Sequence, residues 1–123
     1  MKKINEYATG AADVRPWGRW DVLAAGDGFV VKEIVVDPGE ILSLQSHQHR
    51  AEHWIILAGA AEVTIDNTVS VRRTGDTAFV PVGARHRIAS IGDTPLRFIE
   101  VLTGDLLSED DIIRYEDRYG RNR

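Results

Sequence analysis

The stretch "LSLQSHQHRAEHWIILAG", residues 42–59, places three of the chain's four histidines within seven positions. Side chains alternate along an extended strand, so Gln45, His47 and His49 share one face while Leu44, Ser46 and Gln48 take the other. His47 and His49 then form a bidentate pair, followed by Glu52, His53 and the apolar run Trp54 to Leu57, which reads as the next strand. An exposed polar strand end is the competing reading of His-x-His alone. The fourth histidine, His86 in "GDTAFVPVGARHRIAS" (residues 75–90), shifts the balance towards a metal site.

Outward from this stretch, the apolar residues from Trp20 to about Leu102 fall in short Val- and Ile-rich runs broken by turn chemistry such as "AAGDG", "DPGE", "TGD", "PVGA" and "GDTP". That pattern is all-β. In "FVVKEIVVD", Val30, Lys32, Ile34 and Val36 share one face and Phe29, Val31, Glu33 and Val35 the other, and both faces are largely apolar. A strand covered on both sides suits a closed or double-layer β structure, and leads us to expect a homodimer. Only the tail differs. In "LSEDDIIRYEDRYGR", Ser108 is placed to cap a helix with Asp111 three residues on, and Gly120 to end it, so a short C-terminal helix is expected. The expected organisation is one domain over residues 1–123, with a core at about 20–102, an N-terminal arm at 1–19 and a helical tail at 106–123.

Composition narrows the chemistry. Fifteen Lys and Arg against nineteen Asp and Glu give a net charge of −4 with no long basic run, which argues against nucleic acid as a partner. The absence of cysteine removes disulfides, iron–sulfur clusters and thiol catalysis, and restricts metal ligands to His, Asp, Glu, Gln and water. No apolar run reaches the length of a signal peptide or membrane span, so no membrane partner and a cytoplasmic location are expected.

Gly75, Pro81, Gly83 and His86 stand five, one and two residues apart, and His47, His49, Glu52 and Gly59 precede them in the same order as the paired motifs of the cupins. The chain resembles that superfamily over most of residues 39–90. The resemblance implies a jelly-roll β-barrel in which His47, His49, Glu52 and His86 converge on one divalent metal ion; zinc, manganese, cobalt, nickel and iron all accept such ligands. Seven residues separate Gly39 from His47 and two separate His49 from Glu52, a longer and a shorter gap than the cupin pattern. Gln45 therefore competes with His49 as a ligand, and His53 is a weaker substitute for Glu52.

A narrower likeness lies in "VRPWGRWDVL" (14–23), "LSLQSHQHRAEHWIILAGAAEVTI" (42–65) and "EDDIIRYEDRYGR" (109–121). Together these are similar to the C-terminal mannose-6-phosphate isomerase domain of bacterial bifunctional enzymes that also carry a mannose-1-phosphate guanylyltransferase, a half this sequence lacks. The implied reaction interconverts mannose 6-phosphate and fructose 6-phosphate. Such chemistry needs a proton-transferring base, a Lewis acid at the carbonyl and cations for the phosphate. Glu100, which shares a strand face with Phe98 and Leu102, is the candidate base, and Lys32 a second candidate catalytic residue, a cation in the barrel if it reaches inward rather than snorkelling to water. Arg50 and Arg87, each beside an expected ligand, and Arg85 on Arg87's strand face, are the candidate phosphate contacts. Two other readings use the same pocket: a non-catalytic sugar or sugar-phosphate binder, and an iron-dependent oxygenase.

Overall fold

Runs of β-branched residues separated by Gly- and Asp-containing turns favour extended chain, and the computed structural model, which describes residues 3–121, is built almost wholly of strands. In chain order they are β1 (Ile4–Asn5), β2 (Ala12–Arg15), β3 (Gly18–Gly26), β4 (Phe29–Val36), β5 (Leu44–Ser46), β6 (Arg50–Ala58) and β7 (Ala60–Ile65). There follow β8 (Thr68–Arg73), β9 (Thr77–Val80), β10 (His86–Ser90), β11 (Leu96–Gly104), β12 (Leu106–Leu107) and β13 (Ile113–Glu116). One sheet has the order β2-β3-β4-β11-β6-β9 and the other β13-β5-β10-β7-β8, while β1 pairs in parallel with β12.

The inner faces of the two large sheets carry the core. Alternation on β4 buries Val30, Lys32, Ile34 and Val36, and on β6 it buries Arg50, Glu52, Trp54 and Ile56. Phe98, Leu102, Val63 and Ile88 join them, each at most 1% exposed. Removing the bulk of Phe98 or Trp54 would cost about 3–5 kcal/mol on general grounds. Within this apolar interior the register lines up a polar row: Trp54 opposes Glu100, and Glu100 opposes Lys32. On the facing sheet His86 opposes Gln45, and Gln45 opposes Arg114.

The connection from β9 to β10 delivers His86. Gly83 adopts φ 83° there, a left-handed conformation that disfavours side chains, and its N–H donates to the His47 carbonyl at 2.9 Å. The two histidine-bearing segments are thereby tied by backbone.

The C-terminal helix expected from the sequence is not formed, since among the described residues there is no helix. Ser108 does act locally, its Oγ accepting from Asp110 N at 3.1 Å and its carbonyl from Asp111 N at 3.2 Å. That is one turn. The Asp111 carboxylate then accepts from Gln48 N and His49 N, both at 3.0 Å, and the following Ile-Arg-Tyr-Glu segment pairs with β5. Strand pairing satisfies the backbone groups that a helix would have satisfied internally. The arm is also structured, with β1 on β12 and Ser108 Oγ donating to Glu6 at 2.6 Å.

Candidate metal centre

Three side chains from three strand segments meet inside the barrel. Glu52 projects inward from β6, His86 from β10, and His47 stands just beyond the end of β5. Candidate ligand atoms of His47, Glu52 and His86 all lie within 4.8 Å of one another. His47 Nε2 is 3.1 Å from Glu52 Oε2, and His86 Nε2 is 3.7 Å from Glu52 Oε1. Each histidine turns its other nitrogen to a carbonyl, His47 Nδ1 to Asp111 O at 2.5 Å and His86 Nδ1 to Ala84 O at 3.1 Å. A carbonyl only accepts, so Nδ1 carries the proton and Nε2 presents its lone pair to the cluster.

Two acceptors at 3.1 Å, His47 Nε2 and Glu52 Oε2, require a cation to hold them together. Arg50 supplies one here: its Nη2 is 3.3 Å from His47 Nε2 and 3.1 Å from Glu52 Oε2. Burial alone would raise the Glu52 carboxyl, but the Arg50 guanidinium, foremost among its neighbours, holds it well below the usual carboxylate range. Burial also lowers His86, against the opposing pull of Glu52, which favours the neutral imidazole a metal requires. Two imidazole nitrogens and one carboxylate fit a divalent ion, with further positions left for water or ligand oxygens.

Glu100 points inward, as alternation with Phe98 and Leu102 implies, and is buried. Burial first, and the Glu52 charge second, push its carboxyl up to about 8. Trp54 Nε1 donates to both carboxylates, to Glu52 Oε1 and Glu100 Oε2 at 3.1 Å each. Lys32 also reaches inward instead of snorkelling. Its side chain is 4% exposed, its Nζ lies over the rings of Tyr7 and Trp20, and it donates to Glu109 at 3.1 Å. The surrounding cleft includes Gln45, Arg87, Arg114 and Arg121 in its wall.

His49 is not brought to the cluster. The chain bends at Gln48 and His49 where Asp111 captures their amides, which breaks strand alternation, and Arg50 takes the inward position in its place. The His49 ring is 46% exposed, 3.9 Å from Asp105. Gln45 lines the cleft but donates to Ser43 at 3.1 Å, and His53 faces outward against Phe79. Arg85 is exposed with its guanidinium over the Tyr115 ring and does not line the cleft. Arg87 lines it, with its donors on the Leu42 carbonyl and Glu116. Tyr7, Glu109 and Arg114 carry no site signal in the sequence, and Asp111 reads there only as a helix cap. The last three lie in the tail segment that carries the family likeness, whose reading as a helix concealed their direction.

A two-sheet β-barrel with a His/Glu/His cluster between its sheets defines a cupin. Solved structures agree at the level of fold: KdgF from a Halomonas species superposes with a TM-score of 0.72 at 18% identity over 90% of this chain and 98% of that one. The cupin domain of Schizosaccharomyces pombe Cnp3 gives 0.68 at 22% identity, covering 71% of this chain and 64% of that one. Residues 2–117 match the family described as mannose-6-phosphate isomerase C-terminal, and the chain belongs to that family. It is 50% identical over 107 residues to a mannose-1-phosphate guanylyltransferase of Escherichia coli K12, covering 87% of this chain and 22% of that protein. The alginate biosynthesis protein AlgA of Pseudomonas fluorescens is 49% identical over 108 residues, 88% of this chain and 22% of that protein. The chain thus spans less than a quarter of the length of these curated relatives.

Proposed function

We propose that this domain is a metal-dependent sugar-phosphate isomerase acting between mannose 6-phosphate and fructose 6-phosphate. The observation that carries the reading is the buried His47, Glu52 and His86 cluster with Glu100 beside it, in a chain of this family. A divalent ion held by the three residues would act as a Lewis acid towards the substrate's adjacent oxygens. Glu100 would carry the proton between the two neighbouring carbons, since a carboxyl poised at about 8 both releases and accepts a proton near neutrality. Trp54 would keep it aligned through the shared Nε1 donor. A cleft arginine whose donors are not already engaged would meet the phosphate.

The test follows mannose 6-phosphate by proton NMR with wild-type and Glu100→Gln protein. Loss of about 10²–10⁴-fold in turnover with sugar-phosphate binding retained is expected for a proton-transfer group. Undiminished turnover in Glu100→Gln would overturn the assignment.

A second reading also has an observation behind it. Arg50 already satisfies His47 Nε2 and Glu52 Oε2, so the pocket is electrically balanced without an ion, as a non-catalytic sugar-phosphate binder would be. Binding without conversion in the metal-loaded protein identifies that case.

A further inference from the structure

The cations nearest the metal cluster have their donors engaged. A guanidinium offers five N–H groups, and Arg50 makes five contacts: Nε and Nη2 to Glu52, Nη2 also to His47, and Nη1 to Tyr7 and the Ser108 carbonyl. Lys32 is held by Tyr7 and Glu109, and Arg87 ties Leu42 to Glu116. Arg114 is different. Its Nε is buried without a hydrogen-bond partner, and among the described residues no salt bridge reaches its guanidinium.

We propose that Arg114, with Arg121 and Arg15 beside it, forms a phosphate-monoester subsite at the mouth of the cleft. All three line the same cleft as the metal cluster. Arg114 on β13 opposes Gln45 on β5, which opposes His86 on β10. Directly opposed residues share a sheet face, so Arg114 stands in the row of His86, two strand spacings or about 10 Å away. A hexose 6-phosphate has comparable reach from its carbonyl carbon to its phosphorus. Its sugar oxygens would meet the cluster while its phosphate meets Arg114.

Charge around the subsite points the same way. Arg121 keeps Nε and Nη2 on Asp117, and Arg15 places Nη2 between Asp13 and Glu109 at 3.3 Å each. Glu109 is already shared with Lys32 and Tyr7. Burial, with the charges of Arg121 and Arg15, lowers the Arg114 proton affinity against Asp117 and Glu109. A phosphate monoester relieves that repulsion and fills the unpartnered donor through planar, bidentate contacts. Arg114 and Arg121 also border a second cleft, with Glu109, Asp110 and Ile113.

The sugar-phosphate identity rests on the isomerase reading, whereas anion binding does not. Inorganic phosphate and mannose 6-phosphate are titrated by calorimetry into chelated wild-type protein and into Arg114→Gln, Arg114→Lys and Arg87→Gln, with thermal melts to confirm folding. Phosphate affinity should fall at least about tenfold in Arg114→Gln, less in Arg114→Lys, and stay unchanged in Arg87→Gln, with zinc affinity unchanged in all. Arg114→Lys keeps the test open if Arg114→Gln does not fold, since loss of its affinity relative to wild type still supports a bidentate site and equality contradicts it. Wild-type affinity in Arg114→Gln, its loss in Arg87→Gln instead, or no phosphate binding by wild type overturns the subsite. Turnover of mannose 6-phosphate with an unaltered KM in Arg114→Gln also overturns the subsite while the isomerase reading stands. Phosphate binding that depends on Arg114 in a protein without turnover leaves the subsite standing and removes the isomerase reading.

Discussion

Glu52 is 2% exposed and yet ionised, chiefly because the Arg50 guanidinium faces its carboxylate. Its charge organises the site, since neutralising it leaves two imidazole lone pairs and a guanidinium with no common counter-charge. Glu52→Gln is expected to reduce affinity for zinc by more than the roughly 10–100-fold typical of supporting residues, and His49→Ala to leave it within experimental error, both by calorimetry. A large loss on removing His49 would contradict the ligand set. His47, Glu52 and His86 were legible in the sequence because motif spacing fixes them on known strand positions. His49 is expected beside them because alternation assumes a straight strand, whereas the structure turns it away at a bend at residues 48–49 where Asp111, more than sixty positions away, takes the amides. Arg50 was legible as a cation beside a ligand, but not as the one facing the ligand atoms.

Elements transmit these placements. Gly104 on β11 opposes Arg50 on β6, and a Cβ there would meet the His49 carbonyl oxygen at 2.0 Å and Arg50 Cα at 2.9 Å. Both are backbone, so the strands must part to admit it. Gly104→Ala should lower stability by roughly 2–3 kcal/mol in urea unfolding, near the top of the usual range, and weaken metal binding by moving Arg50. A change below about 0.5 kcal/mol, the scale of an ordinary surface substitution, would show that the close approach is not constraining. The strands themselves were readable, since β4 and β11 alternate as their sequences imply. The tail was not: a capping serine and early acids favour a helix locally, but β5 offers an unpaired edge, and Ile112 and Ile113 suit the extended chain that covers it.

For the molecule as a whole, the N-terminal arm and tail close one side of the cleft through Tyr7, Lys32 and Glu109. Burial opposes ionisation of Glu109, but Lys32, Tyr7 and Arg50 outweigh it and hold the carboxyl at about 2. Its folded value lies below its unfolded one, so it stabilises fully above the ordinary 4.5 and progressively less as pH falls towards about 2. Melting temperatures of wild type and Glu109→Gln should therefore converge on acidification. Convergence should also be hastened by salt, because the Glu109 side chain is 42% exposed. A constant difference across that range would contradict the linkage. The homodimer expected from two-sided strands has an apolar surface available, since Leu57, Ile55 and Phe79 are 38%, 40% and 49% exposed. We expect a dimer by light scattering at micromolar concentration, and a monomeric mass would refute it.

The most direct test of the account is conversion of mannose 6-phosphate, followed by proton NMR on chelated protein and again after each divalent metal is restored. Fructose 6-phosphate should appear only in a metal-loaded sample, and none should appear when His86→Ala is loaded in the same way. Conversion by the chelated protein, or by loaded His86→Ala at the wild-type rate, would contradict it.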